Sequence, residues 1–326
     1  MAKLLEVRDL VVHFITDRGV VEAIDRASLS IQEGEVVGLV GESGCGKTTM
    51  ARAILNVIPS PPGMIMGGSV IFKDREILTM DEEKCNSTIR GKAITLIPQD
   101  PLSSFNPLFT IGTQVWDIIG SKYDSHGPPD VKKTIRKGIL EMLSRVQLGA
   151  PETLLRKYPH ELSGGQRQRI MIAMALLVNP SLVIADEPTT ALDVTIQAQI
   201  LSLLRRLVDE RGASVLYITH DLAVASKISD RIVVMYAGQE VESAPTSSFF
   251  TSPAHPYTKK LLECLPNPEG MIRDIPGRVP TLITPPKGCR FHPRCDRAAE
   301  RCYRERPSWD EIATGHWVRC YHPYRS

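Results

Sequence analysis

The sequence predicts an α/β fold in which a parallel sheet is interrupted by an inserted helical subdomain. Three observations carry this. The nearly pure apolar segment EVVGLV at Glu35–Val40 runs into a glycine-rich turn and then into TTMARAILNVI, the strand, loop and helix order of a βα unit. From Ile111 to about Val178 apolar residues recur at spacings of three and four, in IRKGILEMLSRV and GGQRQRIMIAMALLV. Buried-type strands then return at SLVIADEP and SVLYITH.

Ahead of the first βα unit, LLEVRDLVVHF and VVEAIDRASLSI are β-rich segments broken by Asp and Arg, and Pro59 to Gly68 reads as a loop. With 326 residues the chain is long enough for a large core plus an appendage. A composition change places the boundary near Glu242 to Phe250, dividing 1–245 from 246–326: of the 24 prolines, 11 follow Phe250, together with four clustered cysteines. The net charge is +2 with both signs interspersed, which argues against a nucleic-acid partner. The start, MAKLLEVRDL, lacks the apolar core of a signal peptide, so the chain is expected to stay in the compartment where it is made. The longest apolar run, IMIAMALLV, is far short of the ~20 residues a membrane helix needs, so a membrane role is expected to come through partners.

The glycine turn is GESGCGKTT, Gly41 to Thr49 (Gly41, Glu42, Ser43, Gly44, Cys45, Gly46, Lys47, Thr48, Thr49), the full P-loop pattern between a strand and a helix. Its glycines let successive amides and the helix N-terminus face a phosphate, Lys47 reaches the β- and γ-phosphates, and the Thr48 hydroxyl joins the shell of Mg²⁺. ATP and Mg²⁺ are the expected ligands. Cys45 is expected as a small residue at a permissive position and not as a reactive thiol. LVIADE at Leu182 to Glu187 ends a buried strand in two carboxylates: Asp186 suits Mg²⁺ and Glu187 suits polarising the attacking water. His220 follows another strand and is placed to contact the γ-phosphate or to orient Glu187 and the water.

LSGGQRQR, Leu162 to Arg169, resembles the signature of the ATP-binding cassette ATPases of ABC transporters. The resemblance spans almost the whole chain and has the motifs in family order. It implies a P-loop cassette with a RecA-like parallel-sheet core, an N-terminal antiparallel β subdomain and a helical subdomain at about 101–178. It implies that Gln99 of IPQDP is the Q-loop residue, touching nucleotide and Mg²⁺, that Ala191, Leu192 and Asp193 form the D-loop, and that His220 is the switch histidine. Phe14 matches the aromatic that stacks on adenine. In the family the signature residues, here Leu162, Ser163, Gly164, Gly165 and Gln166, close over the nucleotide of the opposite subunit, which implies a dimer with a sister chain or a second copy.

QDPLSSFNPLFTIGTQV, HPYTKKLL (His255 to Leu262) and RVPTL look like the dipeptide and oligopeptide importer ATPases. That implies an ATPase driving import of peptides, or of a related solute such as nickel or an oligosaccharide. The implied partners are two membrane permease subunits and an extracytoplasmic solute-binding protein, with the chain peripheral on the cytoplasmic face of the membrane. The segment after Gln99 is the implied coupling surface. Two alternatives are a soluble cassette ATPase acting on DNA or ribosomes, and a redox-sensing metalloprotein with ATPase output. The compact stretch between P-loop and signature and the single cassette count against the first.

Cys289, Cys295, Cys302 and Cys320 are separated by five, six and seventeen residues. Disulfides do not suit a reducing compartment, and a proline-rich tail with few apolar periods is expected to gain from a staple. Four thiolates take Zn²⁺ or an iron–sulfur cluster, with Arg290, Arg294, Arg297 and Arg301 nearby to offset the charge; four unligated thiols are the third reading. Some members of the resembled importers carry a [4Fe-4S] cluster here, which favours that centre over zinc.

Overall fold

The Asp and Arg that interrupt the first two β patterns do not end the strands. In the computed structural model, which describes residues 2–120, 129–189, 193–265 and 274–325, β1 (Lys3–Thr16) and β2 (Gly19–Gln32) pair antiparallel. Asp9 and Arg26 take left-handed φ values of 43° and 46°, and the register shifts between Val7 and Leu10. Asp tolerates that conformation comparatively well and Arg26 takes it at the second break; each becomes a bulge, with Leu10 and Ala27 buried in the core.

The remaining strands are β3 (Val36–Val40), β4 (Gly63–Phe72), β5 (Arg75–Glu76), β6 (Ile94–Ile97), β7 (Leu182–Asp186), β8 (Ser214–Thr219), β9 (Arg231–Tyr236), β10 (Gln239–Pro245), β11 (Asp310–Ala313) and β12 (His316–Val318). β4 corrects the loop expected over Pro59 to Gly68, because it begins at Gly63 and pairs with β1, Gly63 facing Phe14 and Gly67 facing Val11. The glycines there serve close packing: a Cβ at Gly68 would sit 2.5 Å from the Cα of Leu10.

The described chain forms two compact units, Met1–Met80 with Tyr217–Ser326, and Asp81–Leu216. The chain passes from the second back to the first within β8. In the first unit β2, β1, β4 and β5 make an antiparallel sheet, and β3 lies parallel to β9 in another. β9 turns tightly into β10 through Ala237 and Gly238, at φ 48° and 80°, the paired positive values that fit a hairpin to the strand twist. In the second unit β6 and β7 are parallel, and the helices Pro129–Arg145 and Gly164–Leu177 pack on each other, with Ile139, Met142, Leu143, Ile170 and Ala173 buried. The run IMIAMALLV fills the end of the second of these helices, with Val178 as its C-cap. Among the described residues no helix is long and apolar enough to cross a membrane.

The tail has more of a core than its sequence suggests. β12 pairs with β10 and β11 with β12, so the tail extends a sheet begun by the preceding strands. Phe291, 1% exposed, packs edge-on to Tyr236 at 5.1 Å and against Tyr257 at 5.3 Å. The fully buried carboxylate of Glu242 in β10 accepts the amides of Ala254 and His255, each at 2.8 Å, and bonds His316 Nε2 in β12 at 2.8 Å.

Candidate functional site

The glycine loop is shaped by backbone contacts that exclude side chains. Gly41 has φ 154°, and a Cβ on it would lie 2.2 Å from the carbonyl oxygen of Met235. Gly46 has φ 107°, and a Cβ there would meet the carbonyl of Ala23 at 2.7 Å. Gly46 is also the N-cap of the helix Lys47–Ile54, so no side chain of the cap competes with an anion for the first amides. Lys47, 5% exposed, donates to the carbonyl of Gly41 at 2.8 Å and to that of Glu42 at 3.2 Å, holding its ammonium inside the loop. Burial pushes the Cys45 thiol up despite the neighbouring Lys47, which suits a packing residue and not a nucleophile. Ser43 and Gly44 are exposed, and Thr48 and Thr49 half-buried.

In the other unit, β7 is buried throughout and ends at Asp186, 6% exposed. The next residue, Glu187, takes a left-handed φ of 46°, which turns its carboxylate out of the strand direction. Because Ile97 of β6 registers with Ala185 of β7, the loop beyond β6 runs beside that end, and Gln99 Nε2 donates to Glu187 Oε2 at 3.1 Å. Two residues 88 positions apart are thereby joined. Gln99 and Asp186 of this unit carry oxygens of the kind a hard cation takes, and so, in the first unit, does Thr48.

The LSGGQ segment opens the helix Gly164–Leu177. Ser163 is its N-cap, accepting the Gln166 amide at 3.3 Å while Gln166 Oε1 accepts the Ser163 amide at 3.1 Å. Gly164 and Gly165 occupy the first two helical positions, and Leu162 is buried beneath them. Asp193 caps the helix Val194–Arg211, accepting the amide of Ile196 at 2.9 Å. Ala191 and Leu192 lie outside the described residues. In the first unit His220 is exposed directly after β8, and Phe14 is half-buried opposite Gly63, beside the exposed Ile15, Val20 and Met64.

A profile described as ABC transporter matches residues 24–190. The chain belongs to the ABC transporter ATP-binding family. A second profile, described as oligopeptide/dipeptide transporter, C-terminal region, matches 241–302. The cassette is 44% identical to a probable peptide ABC transporter ATP-binding protein of Sinorhizobium fredii, over 98% of this chain and 94% of that one. It is 43% identical to the oligopeptide transport ATP-binding protein AppD of Bacillus subtilis, over 98% and 97%, and 41% identical to the dipeptide transport ATP-binding protein DppD of Escherichia coli, over 98% and 97%. Among solved structures, a dimeric ATP-binding cassette in a post-hydrolysis state bound to ADP and Pi superposes with a TM-score of 0.65 at 29% identity, covering 74% of this chain and 98% of that one. A Clostridium perfringens cassette that is part of an ABC transporter complex superposes with a TM-score of 0.63 at 25% identity, covering 77% and 92%.

The metal staple expected in the tail of this cassette is not supported. The four thiols are near enough to interact, Cys295 and Cys302 acting on Cys289 and all three on Cys320, and burial pushes Cys289 up to about 11 and Cys320 up to about 12. Yet among the described residues no group of three or more His, Cys, Asp or Glu is gathered to hold a metal ion. The arginines assigned to offset a cluster are engaged elsewhere. Arg290 pairs with Glu22 and Asp25, Arg294 with Glu42, Arg301 with Glu305, and Arg297 lies over the Tyr324 ring. The ring cluster around Phe291 and the Glu242 network supply the cohesion for which a staple was invoked. The described residues therefore lend a resident [4Fe-4S] or zinc centre no support.

Sequence reasoning missed the grip on the glycine loop. Tyr257 and Arg294 both reach Glu42, and the signals were the HPYT and HPRC segments that hold them.

Proposed function

We propose that this chain is the subunit that hydrolyses ATP to power import of dipeptides or oligopeptides through an ABC transporter. The observation that carries it is the glycine loop Gly41–Thr49, folded between a buried strand and a helix with no side-chain cap, in a chain whose tail matches the oligopeptide/dipeptide profile. Residues 1–245 act as the cassette and 246–326 as an extension of the importer type.

In this reading the loop amides with Lys47 bind the phosphates and Phe14 stacks on adenine. Thr48, Gln99 and Asp186 hold Mg²⁺, which when bound neutralises charge on the phosphates. Glu187 accepts a proton from the attacking water. Gln99, bonded to Glu187, holds that carboxylate in place until nucleotide arrives, and His220 steadies the γ-phosphate end. The helix N-terminus behind Ser163, with the amides of Gly164 and Gly165, serves the nucleotide of a second ATPase subunit, with Asp193 of the D-loop at the same seam. The closing and opening of that pair is passed to two permease subunits on the cytoplasmic face, fed by an extracytoplasmic solute-binding protein.

The test is Glu187→Gln in the assembled transporter. ATP binding is retained and turnover falls at least about 100-fold, the scale for loss of a general base. Wild-type-like steady-state ATPase in that variant removes the role. Iron, sulfide and zinc analysis of anaerobically purified protein separately decides the tail: stoichiometric metal would reinstate the centre that the geometry does not support.

A further inference from the structure

The glycine loop is gripped from the tail at one residue. Tyr257 Oη accepts the amide of Glu42 at 3.0 Å. The Glu42 carboxylate takes both arms of Arg294, Nη1 to Oε2 at 2.8 Å and Nη2 to Oε1 at 3.2 Å. The carbonyl of Glu42 takes Lys47 from within the loop. Every polar group of this residue is therefore committed, two of them to side chains more than 200 positions away.

Arg294 is itself immobilised. Its side chain is 3% exposed, its Nε donates to the carbonyl of Pro276 at 3.1 Å, Nη2 donates also to Ile275 at 3.1 Å, and Lys260 Nζ donates to its own carbonyl at 3.0 Å. Tyr236 and Tyr257, with ring centroids 4.6 Å apart, form the platform beside it. A guanidinium so placed is largely withdrawn from solvent. If Glu42 moves, a buried charge loses its counter-ion, which is among the costlier events in a folded protein. Loop shape and tail docking are therefore linked, and linkage is reciprocal.

We propose that Arg294 is a positioning residue for the nucleotide site: by clamping the Glu42 carboxylate it holds the glycine loop in its phosphate-binding shape, so the tail sets nucleotide affinity. This rests on the reading of the loop as an ATP site. A clamp that only anchored the tail would leave nucleotide binding untouched.

The experiment measures binding of a fluorescent ATP analogue with Mg²⁺ to the full chain, for wild type, Glu42→Gln, Arg294→Lys and the double variant. These substitutions preserve volume, and Trp309 and Trp317 emission reports whether the tail stays docked. Each single variant is expected to raise Kd about tenfold, roughly 1.4 kcal/mol, and the double variant no further than the larger single one. In the assembled transporter KM for ATP of Arg294→Lys rises likewise, with kcat within about twofold. Wild-type affinity in the single variants, whatever the tail does, overturns the proposal, and so do additive losses. A wild-type chain that binds no ATP overturns the ATP-site reading first, which separates the two failures.

Discussion

Replacing Phe291 by alanine removes the ring at the centre of the tail's packing. The side chain is 1% exposed and is surrounded by Tyr236 at 5.1 Å, Tyr257 at 5.3 Å and His255 at 5.8 Å between ring centroids. Truncating a buried Phe costs about 3–5 kcal/mol, transfer and cavity together, and the rings here are held on a strand, at Tyr236, and on the helix Pro256–Glu263, at Tyr257, which limits collapse into the gap. Of the 3 tryptophans in the chain, Trp309 and Trp317 lie in the tail, so urea unfolding followed by their emission reads tail docking directly. The expected result is an early release of the tail, shifted by that amount, with residues 274–325 becoming susceptible to protease. A shift below about 1 kcal/mol, combined with tail release on alkylating the four clustered thiols, would refute the reasoning and return cohesion to the cysteines.

Gly41→Ala is expected to abolish nucleotide binding, because its Cβ would lie 2.2 Å from the Met235 carbonyl, whereas Gly44→Ala meets nothing within 4 Å and costs only its φ of 78°, about 1–2 kcal/mol; isothermal titration with Mg·ATP distinguishes them. Cys45, raised by burial, is expected to resist iodoacetamide at pH 7.5 in the folded chain, and mass spectrometry of alkylated peptides checks this. His255 is held down to about 4 by burial, against an ordinary value of 6.5. The unfolded chain therefore binds that proton first as pH falls through 6.5 and the folded one only near 4, so this group costs stability on acidification, up to about 3 kcal/mol at the bottom of the window. His255→Asn keeps an acceptor for the Tyr257 amide but does not titrate, and should lose correspondingly less between pH 6.5 and 4 in urea melts.

Much of the candidate site was legible because its chemistry is local. A glycine loop between strand and helix needs its residues at consecutive positions, so GESGCGKTT announces itself, and so does the capped helix start behind LSGGQ. Gln99 could be named only by resemblance, since its contact with Glu187 depends on β6 lying parallel to β7. The loop expected over Pro59 to Gly68 failed for a related reason: glycines that read as loop residues serve here to let β4 approach β1. Arg294 illustrates the limit most clearly. Beside Cys295 in the chain it reads as a counter-charge for a metal centre, yet it sits on Glu42, 252 positions away.

By itself the sequence determined the fold class, the phosphate chemistry and the family, because each depends on short runs whose spacing is set by strand and helix geometry. The tertiary structure decided what the tail does. Which surfaces a proline-rich segment with four cysteines covers shows only in the pairing of β12 with β10 and the seating of Phe291 on Tyr236. Contacts over such separations are chosen by burial and charge pairing in three dimensions, and no local pattern records them.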